Sequence, residues 1–354
     1  MRASVHRIAR NVWRNASART YSTEPSKPRH LMTIGDLSQA ELSQLVLNAA
    51  AHKKAVKSGQ MSAAFNSTLQ GQTVAMMFSK RSTRTRVSTE AAVALMGGHP
   101  MFLGKDDIQL GVNESLYDTS KIISSMTSCM VARVGPHDDV ADLAKHSSVP
   151  VINALSNDFH PLQAIADTLT IHEVFGKGSI SSSSVVPERL KLAWVGDANN
   201  VLYDLAISCI KVGIDISVAT PANYRIPENM MAFIKEQAKT ASSPGTISEY
   251  FIPEEAVKDA DIIATDTWIS MGQEEETQKR LKAFAGFQVT NELAKKGGAK
   301  ADWKFMHCLP RHPEEVNDEV MYGPRSLVFQ EGENRLWAAV AVLEGFVANK
   351  GKLV

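Results

Sequence analysis

A basic, hydroxyl-rich segment runs from Phe78 to Arg86, with the sequence Phe-Ser-Lys-Arg-Ser-Thr-Arg-Thr-Arg. It follows an apolar run, Thr73 to Phe78, that predicts a buried strand, and it opens a predicted helix. Free backbone N–H groups and the positive end of the helix dipole attract anions at such a turn. Donors for phosphate oxygens are close together there, on Ser82, Thr83, Arg84 and Thr85. The segment indicates a phosphate site, although a solvated basic helix start has the same composition and the glycine-rich ATP loop pattern is missing.

A second polar segment, His160-Pro-Leu-Gln163, follows another predicted strand and opens another predicted helix. A neutral imidazole and an amide can both form hydrogen bonds with a small carbonyl compound. Proline at the first helical position fixes the turn that presents them. On this feature alone, a helix cap with an incidental histidine is the favoured interpretation.

Three more polar segments follow predicted strands in the second half of the chain. They are Gly-Asp-Ala-Asn-Asn at 196–200, Asp-Thr-Trp-Ile-Ser-Met-Gly at 266–272 and His-Cys-Leu-Pro-Arg at 307–311. Open α/β sheets bind ligands at the carboxyl ends of their strands, and an ionised Asp266 suits an ammonium group. Asn199 and Asn200 could instead be turn formers, and Cys308 a small buried apolar residue.

The elements that must position these segments alternate between strands and helices. From residue 31 to 175 the order is βαβαβ, with Asp36 predicted to cap the first helix and Pro161 to Phe175 predicted as an amphipathic helix. A Gly- and Ser-rich break at 176–187 predicts a linker.

A second alternating series follows the break. It includes a strand predicted at Ser326 to Phe329 and a terminal helix predicted at Asn334 to Ala348. We predict an α/β protein with two similar domains, each a parallel sheet flanked by helices, joined by interdomain helices.

Length and composition exclude several classes of protein. A chain of 354 residues is long enough for two domains, and 44% hydrophobic residues are typical of a globular protein. No apolar run reaches the roughly 18 residues of a membrane span, so no membrane partner is expected. Lys and Arg total 38 and so do Asp and Glu, so no overall basic charge indicates nucleic acid. Three scattered cysteines predict neither a disulfide framework nor a C-x-x-C metal site.

The first 23 residues differ from the rest in charge. They contain five arginines and several hydroxyls, whereas the first acidic residue is Glu24. This composition predicts a mitochondrial transit peptide at 1–23, followed by a flexible leader at 24–30, and a disordered basic arm is the alternative.

Ser-Thr-Arg-Thr-Arg at 82–86 followed by His-Pro-x-Gln at 160–163 resembles the carbamoyl-phosphate half of the transcarbamylase family. The resemblance implies that the phosphate is held by Ser82, Thr83, Arg84 and Thr85. It implies that the carbonyl oxygen is bound by Arg133 and His160, and the carbamoyl amine by Gln163 and the Leu309 carbonyl. Arg335 would complete this site, and Gln109 would reach into the site of a neighbouring subunit. The resemblance also suggests a cis Leu309–Pro310 bond.

Within the family, the segments at 266–272 and 307–311 resemble the ornithine-specific branch, because an aspartate acceptor would need cations where Asp266 stands. This implies transfer of a carbamoyl group from carbamoyl phosphate, bound first, to the δ-amine of L-ornithine, with L-citrulline and phosphate as products. The implied ornithine-binding residues are Asn200, Asp266, Ser270, Met271 and Cys308. The implied catalytic residues are Arg133, His160, Asp266 and Cys308.

The same resemblance assigns 31–175 to carbamoyl-phosphate binding, 188–330 to ornithine binding, and 331–354 to a helix that packs back on the first domain. It implies a homotrimer that acts in arginine biosynthesis or the urea cycle, with no metal or organic cofactor, and the predicted transit peptide implies the mitochondrial matrix. Three alternatives remain: a transcarbamylase for another amine, a nucleotide-dependent oxidoreductase, which the missing G-x-G-x-x-G pattern disfavours, and a catalytically silent binding protein.

Overall fold

The computed structural model describes residues 27–105, 107, 114–176, 185–187, 189–269 and 276–353. The predicted transit peptide and most of the leader lie outside the described residues, as do eight residues of the predicted linker, 177–184. Gln109, Ser270 and Met271 also lie outside them.

The first half of the chain forms a four-stranded parallel sheet in the order β2-β1-β3-β4. Its strands are β1 (Thr73–Phe78), β2 (His99–Gly104), β3 (Cys129–Arg133) and β4 (Val151–Leu155). Its helices are α1 (Gln39–Lys57), α2 (Ala63–Asn66), α3 (Thr83–Leu95), α4 (Leu116–Met126), α5 (His137–His146) and α6 (Pro161–Phe175). Chain order reverses between β1 and β3, which places a ligand crevice beyond the carboxyl ends of these two strands.

The second half forms a five-stranded parallel sheet in the order β7-β6-β5-β8-β9. Its strands are β5 (Lys191–Val195), β6 (Asp215–Ala219), β7 (Ile247–Tyr250), β8 (Ile262–Thr265) and β9 (Lys304–His307). Its helices are α7 (Asn200–Val212), α8 (Glu228–Glu236), α9 (Pro253–Ala256), α10 (Thr277–Ala283), α11 (Asn291–Gly297), α12 (Asp318–Met321) and α13 (Val328–Leu343). Here chain order reverses between β5 and β8. Two parallel sheets flanked by helices confirm the predicted fold class.

Contacts among helices join the two halves. The last helix, α13, packs on α6, α3 and α1, and α6 also packs on α7. One apolar cluster includes Met76 of β1, Leu169 of α6, Trp194 of β5 and Val340 of α13. Every residue of α6 from Pro161 to His172 is buried, so the prediction of an amphipathic helix was wrong. A helix packed on several sides has no polar stripe to expose.

Two other sequence predictions were wrong. Ser38, not Asp36, caps α1, because its hydroxyl accepts from Glu41 N–H in a capping box; the Asp36 carboxylate accepts from the Thr33 N–H in the preceding turn. Ser326 to Phe329 is not a strand. Ser326 forms one isolated bridge with Phe305, and Val328 already begins α13.

The predictions also missed one strand and misplaced the ends of another. β7, a short and half-buried edge strand, was not predicted, and β4 begins two residues later than expected. None of the described helices is both long and apolar enough to span a bilayer.

Candidate functional site

An open cleft of about 1270 Å³ lies where the carboxyl ends of the strands in both sheets face each other. The first half contributes six of the predicted site residues to its lining: Ser82, Arg84, Thr85, Arg133, His160 and Gln163. The second half contributes five: Asn200, Asp266, Cys308, Leu309 and Arg335. Thr83 is exposed on the first turn of α3, outside this lining set. The structure therefore brings most of the predicted residues into one cavity.

The start of α3 forms one end of the cleft. Ser82 is the N-cap, and its hydroxyl accepts a hydrogen bond from the Thr85 N–H at 3.3 Å. Arg335, which α13 brings from the far end of the chain, donates from Nη2 to the Thr85 hydroxyl at 3.4 Å. Backbone donors, hydroxyls and guanidinium groups thus converge at one helix N-terminus, as an anion site requires.

Three arginines place positive charge at this end. Burial, with repulsion from Arg335 and Arg84, lowers the pKa of Arg133 to about 10. Burial, with the charge of Arg84, likewise lowers the pKa of Arg335 to about 10. The Nε atoms of Arg133 and Arg335 are buried and have no hydrogen-bond partner among the described residues. Charges crowded in this way, with unused donors, favour a dianionic ligand.

His160 begins α6 beside these arginines and is held in place through its backbone. Its N–H donates to Asp204 Oδ2 at 2.8 Å, and the same carboxylate accepts from the Thr33 hydroxyl and the Ile34 N–H. Burial, together with the charges of Arg335, Arg133 and Arg84, lowers the pKa of the imidazole well below its usual value, so the ring is neutral.

Arg335 determines which nitrogen of the neutral His160 ring carries the proton. Its Nη1 lies 3.3 Å from His160 Nε2, and a guanidinium can only donate, so Nε2 accepts and Nδ1 carries the proton. His160 Nδ1 is buried and has no hydrogen-bond partner among the described residues, so its N–H is an unused donor.

Asp266, directly after β8, lines the end of the cleft that the second half contributes. Its carboxylate accepts from Cys308 Sγ at 3.0 Å and from Asn199 Nδ2 at 2.8 Å. Burial and the Asp266 charge raise the pKa of the Cys308 thiol well above its usual value. Cys308 is therefore a protonated donor, and the negative charge at this end belongs to Asp266.

Asn199 and Asn200 have different partners. The Asn199 side-chain oxygen caps α7 by accepting from the Val201 and Leu202 N–H groups, while its Nδ2 holds Asp266. Asn200, the residue predicted to bind the acceptor, donates from Nδ2 to the Ser156 carbonyl at 2.5 Å. No role at the site was predicted for Asn199, although an asparagine immediately before a helix is a capping signal.

The loop after β9 is held by a buried histidine and glutamate. The Leu309 N–H donates to His307 Nδ1 at 2.8 Å, so His307 Nε2 carries the proton and donates to Glu315 Oε2 at 3.1 Å. Glu315 also accepts from the Trp268 N–H at 3.2 Å. Leu309 has a φ of 61°, and the Leu309–Pro310 bond is cis, as the family resemblance suggested. Glu315 thereby ties the Leu309 segment to the segment that carries Asp266.

Histidine, cysteine and acidic side chains within the described ranges form no group of three or more that could hold a metal ion. The residues that converge on the cleft offer hydrogen bonds and fixed charges.

Comparison with known proteins identifies both halves. Residues 29–173 match the model of the aspartate/ornithine carbamoyltransferase carbamoyl-P binding domain, and residues 188–346 match that of the Asp/Orn binding domain. A mitochondrial ornithine carbamoyltransferase of Emericella nidulans is 63% identical over 99% of both chains. The ornithine carbamoyltransferase of Saccharomyces cerevisiae is 47% identical over 94% of this chain and 98% of its own.

Solved structures agree with these matches. The crystal structure of a mitochondrial ornithine carbamoyltransferase from Coccidioides immitis has a TM-score of 0.87 and 63% identity, and covers 92% of this chain and 100% of its own. The enzyme from Pyrococcus furiosus has a TM-score of 0.82 and 41% identity, over 92% and 99%. The chain belongs to the aspartate/ornithine carbamoyltransferase family.

Proposed function

We propose that the protein transfers the carbamoyl group of carbamoyl phosphate to the δ-amine of L-ornithine, giving L-citrulline and phosphate. One observation carries this proposal: the same cleft is lined by three arginines, Arg84, Arg133 and Arg335, and by a buried carboxylate, Asp266. An acidic phosphate donor and a cationic amine acceptor match these opposite charges. Relatives that are 63% identical over nearly the whole chain carry the name ornithine carbamoyltransferase.

The arginine end is suited to carbamoyl phosphate. The phosphate would bind the α3 N-terminus, through Ser82 to Thr85, with Arg84 and Arg335 balancing its charge. The carbamoyl oxygen would accept from Arg133 and His160, and the carbamoyl amine would donate to Gln163 and to the Leu309 carbonyl. The dianion removes the repulsion among the arginines, so we propose that carbamoyl phosphate binds first.

The Asp266 end is suited to ornithine. Asp266 and Cys308 would lie beside the δ-amine, while Asn200, Ser270 and Met271 would bind the α-amino-acid end. An alkyl amine has a pKa near about 10.4 and must lose a proton before it can attack. The nearby arginines favour the neutral amine, because they repel its charged form.

In the chemical step, the δ-nitrogen forms a bond to the carbamoyl carbon and the bond from that carbon to the phosphate oxygen breaks. Arg133 and the His160 N–H stabilise the charge that develops on the carbonyl oxygen. The departing phosphate takes up the amine proton. Holding the two substrates close together in the correct orientation supplies much of the rate enhancement.

We further propose that the active form is a homotrimer in which Gln109 reaches a neighbouring site, and that residues 1–23 direct the chain to the mitochondrial matrix. Relatives named as mitochondrial support the organelle.

The direct test uses residues 24–354 with carbamoyl phosphate and either ornithine or aspartate. We expect citrulline from ornithine, an equal amount of phosphate, and no product from aspartate. A folded protein that binds carbamoyl phosphate but forms no citrulline would contradict the acceptor and direct the search to other amines.

A further inference from the structure

Two buried acidic residues that lie behind the cleft have no role in the mechanism above. Asp167 on α6 and Glu331 on α13 are each only 2% exposed. They face the same side chain, because Gln163 Nε2 donates to Asp167 Oδ1 at 2.7 Å and to Glu331 Oε1 at 3.1 Å. Both amide hydrogens of Gln163 are therefore directed at carboxyl groups.

That arrangement determines which way the Gln163 amide points. An amide has nearly the same shape when its oxygen and nitrogen exchange places, so its neighbours must select one orientation. With Nε2 held by the two acids, Oε1 faces Arg335, whose Nη1 donates to it at 2.5 Å. Gln163 therefore presents its acceptor, rather than its donors, on the side of the substrate cleft.

The two acids are also close to each other, because both accept a hydrogen bond from the same Gln163 nitrogen. Repulsion between two ionised carboxylates this close together and this deeply buried favours one proton on the pair, and therefore a single negative charge. Burial raises the pKa of Asp167 to about 7, and burial together with the Asp167 charge raises that of Glu331 well above its usual value. The pair thus orients the Gln163 amide while it adds one negative charge, rather than two, beside the arginines.

The pair also connects the two halves of the protein. Glu331 Oε2 accepts from the His307 N–H at 2.9 Å, at the end of β9. Cys308 and Leu309 follow directly, whereas Asp167 and Gln163 lie on α6 of the first half. A change at the acid pair is therefore transmitted to residues that both domains contribute to the cleft.

We propose that Asp167 and Glu331 are positioning residues that share one proton and hold the Gln163 amide with its oxygen toward the carbamoyl amine of the substrate. This inference rests on the proposed function, because it gives the amide oxygen a substrate donor to meet. The two acids act through Gln163 and do not touch the reacting atoms.

The test uses isosteric amides. Asp167→Asn and Glu331→Gln each retain one carboxylate as an acceptor for Gln163 Nε2, and an amide N–H replaces the shared proton. The double variant retains no carboxylate, so the Gln163 amide meets donors as well as acceptors and can turn over. We expect each single variant to raise the KM for carbamoyl phosphate about threefold or less, and the double variant to raise it about tenfold.

A second comparison separates positioning from a purely structural role. In a Gln163→Ala background, the two amide changes together should have no further effect on the KM for carbamoyl phosphate, because the residue through which they act is gone. Thermal midpoints and the KM for ornithine are measured in parallel. A structural role would lower the midpoint and change both KM values equally in either background.

Two outcomes would overturn the inference: a double variant with the KM of the unmodified protein, or full additivity with Gln163→Ala. The proposed function fails separately, since it requires that the unmodified protein itself forms citrulline. If it forms none, calorimetric titration of the same variants with carbamoyl phosphate still tests whether the acid pair orients Gln163.

Discussion

The two ends of the cleft are assembled differently. At the carbamoyl-phosphate end, Ser82 to Thr85 are consecutive residues, and one strand-to-helix turn brings their donors together. At the acceptor end, Asn199, Asp266 and Cys308 follow three different strands and meet only when the second sheet is complete. The phosphate end is therefore built on local backbone geometry, to which distant elements add Arg133 and Arg335, whereas the acceptor end depends entirely on long-range assembly around a single carboxylate.

The largest effect that distinguishes the two ends should come from Arg84→Ala. It removes a charged donor from the phosphate end and should raise the KM for carbamoyl phosphate about 100-fold, consistent with the loss of about 3 kcal/mol from charge-assisted hydrogen bonds. Steady-state kinetics with ornithine saturating measures this change.

Arg86→Ala is a matched control on the same helix. Arg86 pairs with Glu90 at 2.9 Å and lies over the Phe102 ring at 3.7 Å, outside the cleft lining. Its removal changes the net charge equally and should leave the KM within about twofold, as expected for an exposed ion pair. Equal losses in both variants would show that α3 acts through overall charge rather than through a formed site.

Asp266→Asn should produce the opposite pattern. It keeps the shape of the side chain but removes the negative charge at the acceptor end, so the KM for ornithine should rise about tenfold to 100-fold, as when a charged hydrogen bond is lost. Binding of carbamoyl phosphate, measured by calorimetry, should be unchanged.

Asp302→Asn, an exposed change of equal charge in the second domain, is the control. Equal ornithine saturation in Asp266→Asn and the unmodified protein would contradict the assignment of this end to the acceptor.

The smallest effect tests the two functions of Asn199. Asn199→Ala removes both the α7 cap and the partner of Asp266, and should cost about 1 kcal/mol in the free energy of unfolding. Asn199→Asp retains the cap but places a second carboxylate 2.8 Å from Asp266 in the native geometry.

We expect both Asn199 variants to raise the KM for ornithine a few-fold, whereas urea titration should show the loss of cap stability in the alanine variant alone. If the aspartate variant binds ornithine normally, then Asn199 does not hold Asp266 for the acceptor.

The difference between local and long-range assembly also explains what could be predicted from the sequence. β1, β3, α6 and β8 begin and end where the apolar runs and the proline at 161 predicted. The carboxyl ends of those strands carry the residues that meet in the cleft. These elements have strong local signals, and their alternation predicted the fold class, whereas residues such as Arg133 and Arg335 were assigned to the cleft only through the family resemblance.

The residues that hold the site in place could not be predicted in the same way. Along the chain, Asp204 lies 44 residues from His160, and Glu331 lies 168 residues from Gln163, so no local sequence pattern predicts either contact. The strand predicted at Ser326 to Phe329 was wrong for a different reason: a short apolar run does not distinguish a strand from the buried face of a helix. Buried Val328, Glu331 and Arg335 lie on that inward face of α13.

The position of Arg335 has a consequence for how the protein matures during synthesis. The phosphate end is encoded early in the chain, yet one of its guanidinium groups arrives on the last long helix, and His160 is anchored by Asp204 of α7. A nascent chain of which only the first sheet has left the ribosome lacks both Arg335 and Asp204. The carbamoyl-phosphate end of the cleft is therefore complete only after the second half has been translated, so the two halves mature together rather than one after the other.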